Sequence, residues 1–144
     1  MSATADHAEE RTNPAARLGF EPGQVVQEIG YDDDVEQELR EGIEAVTGQD
    51  LVDEDYDDVA DVVLLWFRDD DGDLTDALVD AIGLIDEGGQ IWLLTPKTGR
   101  DGYIEPSDIN EAAQTAGLSQ TRSINAGKDW TGSRLVTPKS GKQR

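Results

Sequence analysis

Aspartates come in two tight runs, Asp32-Asp33-Asp34 and Asp69-Asp70-Asp71, each close behind an apolar stretch. Carboxylates gathered in this way can ligate a divalent cation, provided several oxygens converge on one point. The second run invites a calcium loop, which wants acids at positions 1, 3 and 5 and glycine at 6. Counting back five from Gly72 lands on the apolar Phe67, so the register fails. Both runs read as solvated helix starts, where the helix dipole favours negative charge, and no metal is expected.

A near-repeat is the next candidate. Leu93-Leu94-Thr95-Pro96-Lys97-Thr98-Gly99-Arg100 is echoed by Leu135-Val136-Thr137-Pro138-Lys139-Ser140-Gly141-Lys142. A base beside a glycine that frees backbone N–H groups can hold a phosphate or another anion, although no Walker pattern is present. The alternative is that proline and glycine simply end two strands. The first copy is the better candidate, because Lys97, Gly99 and Arg100 would lie at the ligand-binding edge of a parallel sheet. There they would join Gly30, Asp32 and Asp69, and these six residues make the expected ligand-binding set. Trp130, in the polar loop Ala126–Gly132, either stands exposed to anchor a partner together with Arg100 or folds back onto the sheet. Trp66 and Trp92 lie within apolar strands and read as packing.

Other chemistry is sparse. With no cysteine there is no thiolate nucleophile, thiolate metal site or disulfide. The single histidine, His7, lies in a polar, alanine-rich arm where nothing fixes an imidazole. No catalytic residue and no cofactor are assigned from these residues.

Charge narrows the partners. The net charge is −20, and it is lopsided: residues 1–87 hold 27 of the 32 acids and 4 of the 12 bases, a net of −23, while residues 88–144 carry +3. Such a body repels phosphates, so nucleic acid is not an expected partner. A basic partner or charge-complementary self-association is compatible with it, as is plain solubility. No run approaches the roughly 20 apolar residues of a membrane span, no charged-then-apolar signal opens the chain, and cytosol is the expected location.

The elements that must position these groups centre on Val59–Lys97. Val62–Phe67 is a continuous apolar run, too short for a buried helix, and reads as a central strand. Leu74, Leu78, Ala81, Ile82 and Ile85 follow at helical spacing, and Gly88-Gly89 is the expected stop. Ile91–Thr95 is the second buried strand, parallel to the first and beside it. Upstream, Gln24–Ile29 is a short strand, Val35, Leu39, Ile43 and Val46 keep one helical face ending at Gly48, and Leu51-Val52 is a candidate short strand. Downstream, Ser107 is the expected N-cap of a helix over 108–116, and 119–125 with 133–137 form an antiparallel hairpin at the sheet edge. Residues 1–16 are an expected disordered tail, 17–139 one α/β domain and 140–144 a basic tail. Alternation of this kind predicts a mostly parallel sheet with helices on both faces, made mixed by the hairpin.

This layout resembles the class I methyltransferases that use S-adenosylmethionine. The resemblance rests on the first strand ending Glu28-Ile29-Gly30, the late βαβ with Gly88-Gly89-Gln90-Ile91-Trp92, the helix ending Ala116-Gly117-Leu118 and the closing hairpin. It implies a Rossmann-like three-layer domain. The family's glycine-rich cofactor turn is replaced here by Gly30-Tyr31-Asp32-Asp33-Asp34, bulky and anionic where small residues are needed. The segments Gly23–Asp34, Leu51–Asp55 and Ile91–Lys97 are more specifically similar to an uncharacterised family of small actinobacterial proteins, which implies no activity. The sequence therefore points to a non-enzymatic cytosolic module that binds a protein partner or itself. The alternative is a small-molecule, nucleotide or anion-binding domain derived from the methyltransferase-like fold.

Overall fold

The computed structural model describes residues 18–137, apart from the side chains of Asp86 and Glu87. The two expected tails, His7 and most of the second TPK copy lie outside these residues. Strand β1 (Val26–Ile29) is followed by helix α1 (Gln37–Thr47), β2 (Ala60–Trp66), a 3-10 turn (Asp69–Asp71), α2 (Leu74–Ile82), β3 (Ile85–Pro96), α3 (Pro106–Ala116), β4 (Ser119–Asn125) and β5 (Trp130–Val136). The five strands form one sheet in the order β1-β2-β3-β5-β4. The β1–β2 and β2–β3 pairs are parallel, and β5 runs antiparallel to both β3 and β4. This is the mixed α/β domain that the alternation of elements predicts.

Period-two alternation sorts the strand residues onto two faces. Val26, Val62, Leu64, Trp66, Trp92 and Leu94 pack under Leu39 and Ile43 of α1. Val63, Leu65, Ile91, Leu93 and Leu135 pack under Leu78 and Ala81 of α2 and Ile109, Ala112 and Ala113 of α3. Fully burying each large aliphatic side chain contributes about 1.5–3 kcal/mol, so the three-layer arrangement follows from strands that are apolar on both sides.

Several boundaries differ from the sequence reading. Helix α2 ends at Ile82 with Gly83 as its C-cap, and Ile85, expected on the helix, begins β3 by pairing with Ala60. The register then runs from Ala60 opposite Ile85 to Val62 opposite Gln90, a bulge that takes up Gly88, whose φ is +87°. Gly88-Gly89 thus lies inside a strand because pairing with β2 outweighs the helical period. Helix α1 starts after Val35, which is buried beneath it. Helix α3 begins at Pro106 with Glu105 as N-cap, so Ser107 is already helical; proline at the first position has a preset φ and no N–H to satisfy. Leu51-Val52 contributes one parallel bridge, Gln27 to Val52, along the outer edge of β1. The pairing of Gln90 with Val136 and Pro96 with Trp130 puts the C-terminal ends of β3 and β5 at opposite ends of the sheet. Among the described residues no helix is long and apolar enough to cross a membrane.

Candidate functional site

At the C-terminal ends of the parallel strands the charged groups gather around Arg68, and of the six expected ligand-binding residues only Gly30 is hydrogen-bonded to it. Arg68 follows β2 and precedes the acidic 3-10 turn, and its side chain is only 11% exposed. Its Nη1 donates to the carbonyl of Gly30 at 2.9 Å and reaches Asp71 Oδ2 at 3.3 Å, while Nε donates to Asp34 Oδ2 at 3.1 Å and Nη2 to Asp34 Oδ1. The two aspartate runs therefore do meet in space, through one member each and around a guanidinium. The hydrogen bond from Arg68 holds the Asp34 carboxyl below the usual range, against the opposing pull of partial burial. Burial lowers the Arg68 pKa, but the hydrogen bonds it donates to Asp34 and Asp71, together with their charges, outweigh it, and the net direction is upward.

Gly30 is committed on both sides. Its N–H donates to Glu54 at 3.0 Å, and its carbonyl accepts from Arg68. It adopts φ +84°, and a Cβ built on it would stand 2.3 Å from the Trp66 carbonyl oxygen, so only glycine fits this approach of β1 to β2. A cleft of about 360 Å³ opens beside these groups, lined among others by Tyr31, Asp32, Glu54, Arg68 and Asp71.

A second ion pair braces the neighbouring face. Glu28 on β1, 6% exposed, receives Arg40 Nε at 2.7 Å and Nη2 at 2.9 Å, and its Oε2 also accepts from Trp66 Nε1 at 2.9 Å. The hydrogen bond to Glu28 raises the Arg40 pKa despite burial. The Arg40 guanidinium lies 4.6 Å from the Tyr31 ring centre. Trp66 in turn meets Trp130 edge to face, with centroids 4.9 Å apart, and Arg68 lies 5.2 Å over the Trp130 ring. One connected set of contacts thus runs from α1 through β1 and β2 to β5.

The remaining sequence candidates scatter. Asp32 is exposed and caps the N–H of Asp33 with its own carboxylate at 2.8 Å. Asp69 is exposed and uses its backbone N–H on the carbonyl of Gly102 at 2.9 Å. Lys97 is half-buried with its N–H on the Asp129 carbonyl, Gly99 is exposed at φ +86°, and Arg100, 51% exposed, pairs with Asp129. No hydrogen bond or ion pair among the described residues joins the Asp32 or Asp69 carboxylates to Lys97 or Arg100. Trp130 takes the second of its two expected positions: it opens β5, is 2% exposed and donates Nε1 to the Asp34 carbonyl at 2.9 Å. It is therefore no exposed anchor, because its ring completes the apolar face beneath α1. Arg68 left one signal in the sequence. It is the single base between Arg40 and Gly88, set directly behind a buried strand and amid carboxylates.

Residues 15–139 match the family described as "Protein of unknown function (DUF3052)". Uncharacterized proteins of Mycobacterium tuberculosis and Mycobacterium bovis are 54% identical over 136 residues, covering 94% of this chain and 84% of theirs. Among solved structures, the CcbJ methyltransferase of Streptomyces caelestis is similar at a TM-score of 0.57 and 12% identity, covering 90% of this chain and 95% of that one. An O-methyltransferase from neocarzinostatin biosynthesis, in complex with S-adenosyl-L-homocysteine, is similar at a TM-score of 0.64 and 12% identity, covering 95% of this chain and 58% of that one. These two likenesses extend to the fold: the domain is a methyltransferase-like Rossmann fold.

Proposed function

We propose, from the premise that this chain belongs to the DUF3052 family of proteins of unknown function, that it is a non-enzymatic binding domain on a methyltransferase-like frame. The observation that carries this reading is the double engagement of Gly30, whose N–H is held by Glu54 and whose carbonyl is held by Arg68. A nucleotide-like cofactor at the end of the first strand needs that backbone free and its surroundings small. S-adenosylmethionine does not fit the residues present. Tyr31 adds bulk, and the carboxylates of Asp32, Glu54 and Asp71 face a group that brings a carboxylate of its own. The arginine lining the cleft is already bonded to two aspartates.

In this reading the domain works in the cytosol by holding a protein partner, a second copy or a small molecule. Of the two residues expected to meet a partner, Arg100 remains available, half-exposed beside Asp129. Calorimetric titration with S-adenosylmethionine and with S-adenosylhomocysteine tests the proposal. The expected result is no saturable heat up to millimolar ligand, and a saturable micromolar isotherm for either would overturn it.

A further inference from the structure

The sheet face beneath α2 and α3 changes character toward the C-terminal end of β3. Ile91 and Leu93 are apolar, and the two-residue period then puts Thr95 on the same face. On β5 the apolar Leu135 gives way to Ser133 and Thr131. In register, Thr95 stands opposite Thr131, and Ser133 stands opposite Ser123 on β4, so four hydroxyls form a patch where the stripe would otherwise continue with leucine or valine. These hydroxyls line a cavity of about 120 Å³ covered by Tyr103, Ile104 and Ile109. Thr95 and Ser133 form its floor at 2% exposure each, while Ser123 at the mouth is exposed.

Neither the Thr95 nor the Ser133 hydroxyl makes a hydrogen bond among the described residues. Among the described residues the fully buried side-chain atoms without a partner are Gln27 Oε1 and Trp92 Nε1; the Thr95 and Ser133 hydroxyls instead open onto the cavity they line, where a bound molecule can reach them. None of the cavity's lining residues is charged, in a chain whose net charge is −20. An ion entering this site would be desolvated without a counter-charge, whereas hydroxyls can both donate to and accept from hydroxyls. The apolar cover supplies contact for C–H groups. The space equals that of about four waters at roughly 30 Å³ each.

We propose that this cavity binds a small uncharged polyol, or the hydroxyl-bearing edge of a sugar. The proposal deepens the binding-domain reading by naming a ligand class, at a cavity built on β3, β4 and β5 that neither Gly30 nor Arg68 lines. Its test is an amide-resolved NMR titration of the full chain with glycerol, erythritol and D-ribose, with glycerol 3-phosphate as the charged control. Saturable shifts from at least one neutral compound, centred on Thr95, Tyr103 and Ser133, are expected, with none there from the phosphate. Thr95→Val should abolish them with little change in Tm, since it removes one cavity-lining hydroxyl that makes no hydrogen bond within the protein at nearly constant shape. Should that variant fail to fold, Ser123→Ala at the exposed mouth should weaken the shifts. The proposal is overturned by the absence of saturable shifts from all three neutral compounds, by an equal response in a folded Thr95→Val, or by preference for the phosphate. A separate titration with S-adenosylmethionine, read at Gly30 and Arg68, reports on the binding-domain reading alone, so the two failures are distinguishable.

Discussion

The Arg68 guanidinium donates to the carbonyl of Gly30 at 2.9 Å and so ties the end of β2 to the end of β1. The same side chain gathers Asp34 and Asp71, which makes a structural clamp of residues whose types suggest a cation site. Replacing it with Arg68→Met should lower stability by about 2 kcal/mol, since charge-assisted hydrogen bonds contribute more than neutral ones but Asp34 is half-solvated. Urea unfolding with an unchanged m-value is the measurement. A loss below about 0.5 kcal/mol would mean the clamp is ornamental surface charge.

Gly30 and Gly48 share positive φ but differ in their surroundings. A Cβ at Gly30 would press on the Trp66 carbonyl, whereas one at Gly48 meets nothing within 4 Å. Gly48→Ala should therefore cost about 1 kcal/mol, the left-handed penalty alone. Gly30→Ala should cost about 3 kcal/mol or more, because β1 must shift off β2. Equal losses for the two variants would refute the close approach.

Glu28 and Arg40 should be strongly coupled. Removing one partner strands the other near the core, so each of Glu28→Gln and Arg40→Met should destabilise by about 2–3 kcal/mol. The double variant should lose less than the sum, with an interaction energy of about 1–2 kcal/mol from a double-mutant cycle. Additive losses would show that the bidentate geometry contributes nothing specific.

Acid should act through Asp34. Its folded pKa lies below the ordinary carboxylate value, so the folded state binds fewer protons there than the unfolded chain does. The stabilisation is complete above about pH 3.9, the ordinary value, and is lost as pH falls through the lower folded value. Thermal melts of wild type and Asp34→Asn should therefore converge on acidification below about pH 4. Curves that stay parallel from neutral pH to about pH 2 would contradict this.

The edge-to-face contact of Trp66 with Trp130 couples the two indoles. Trp130→Phe should remove the associated near-UV circular dichroism and, with the lost bond to the Asp34 carbonyl, about 1–2 kcal/mol of stability. An unchanged near-UV spectrum would place the rings apart in solution.

Local composition was enough to determine the central strands, the apolar faces of α1 and α2, the presence of α3, the terminal hairpin and the methyltransferase-like layout. Continuous apolar runs can be buried only between two layers, and helical spacing leaves one face to cover them. Boundaries that depended on a partner strand were not legible: Ile85 reads as helix until Ala60 pairs with it, and Trp130 reads as loop until Pro96 does. Tertiary structure alone decided the site. Asp34, Arg68 and Glu54 are far apart along the chain, and no spacing rule announces that a guanidinium and a carboxylate will take both polar groups of Gly30. The hydroxyls of Thr95, Thr131, Ser133 and Ser123 likewise come from three strands and become neighbours only through sheet register, because side-chain direction in a strand acquires meaning once its pairing is set.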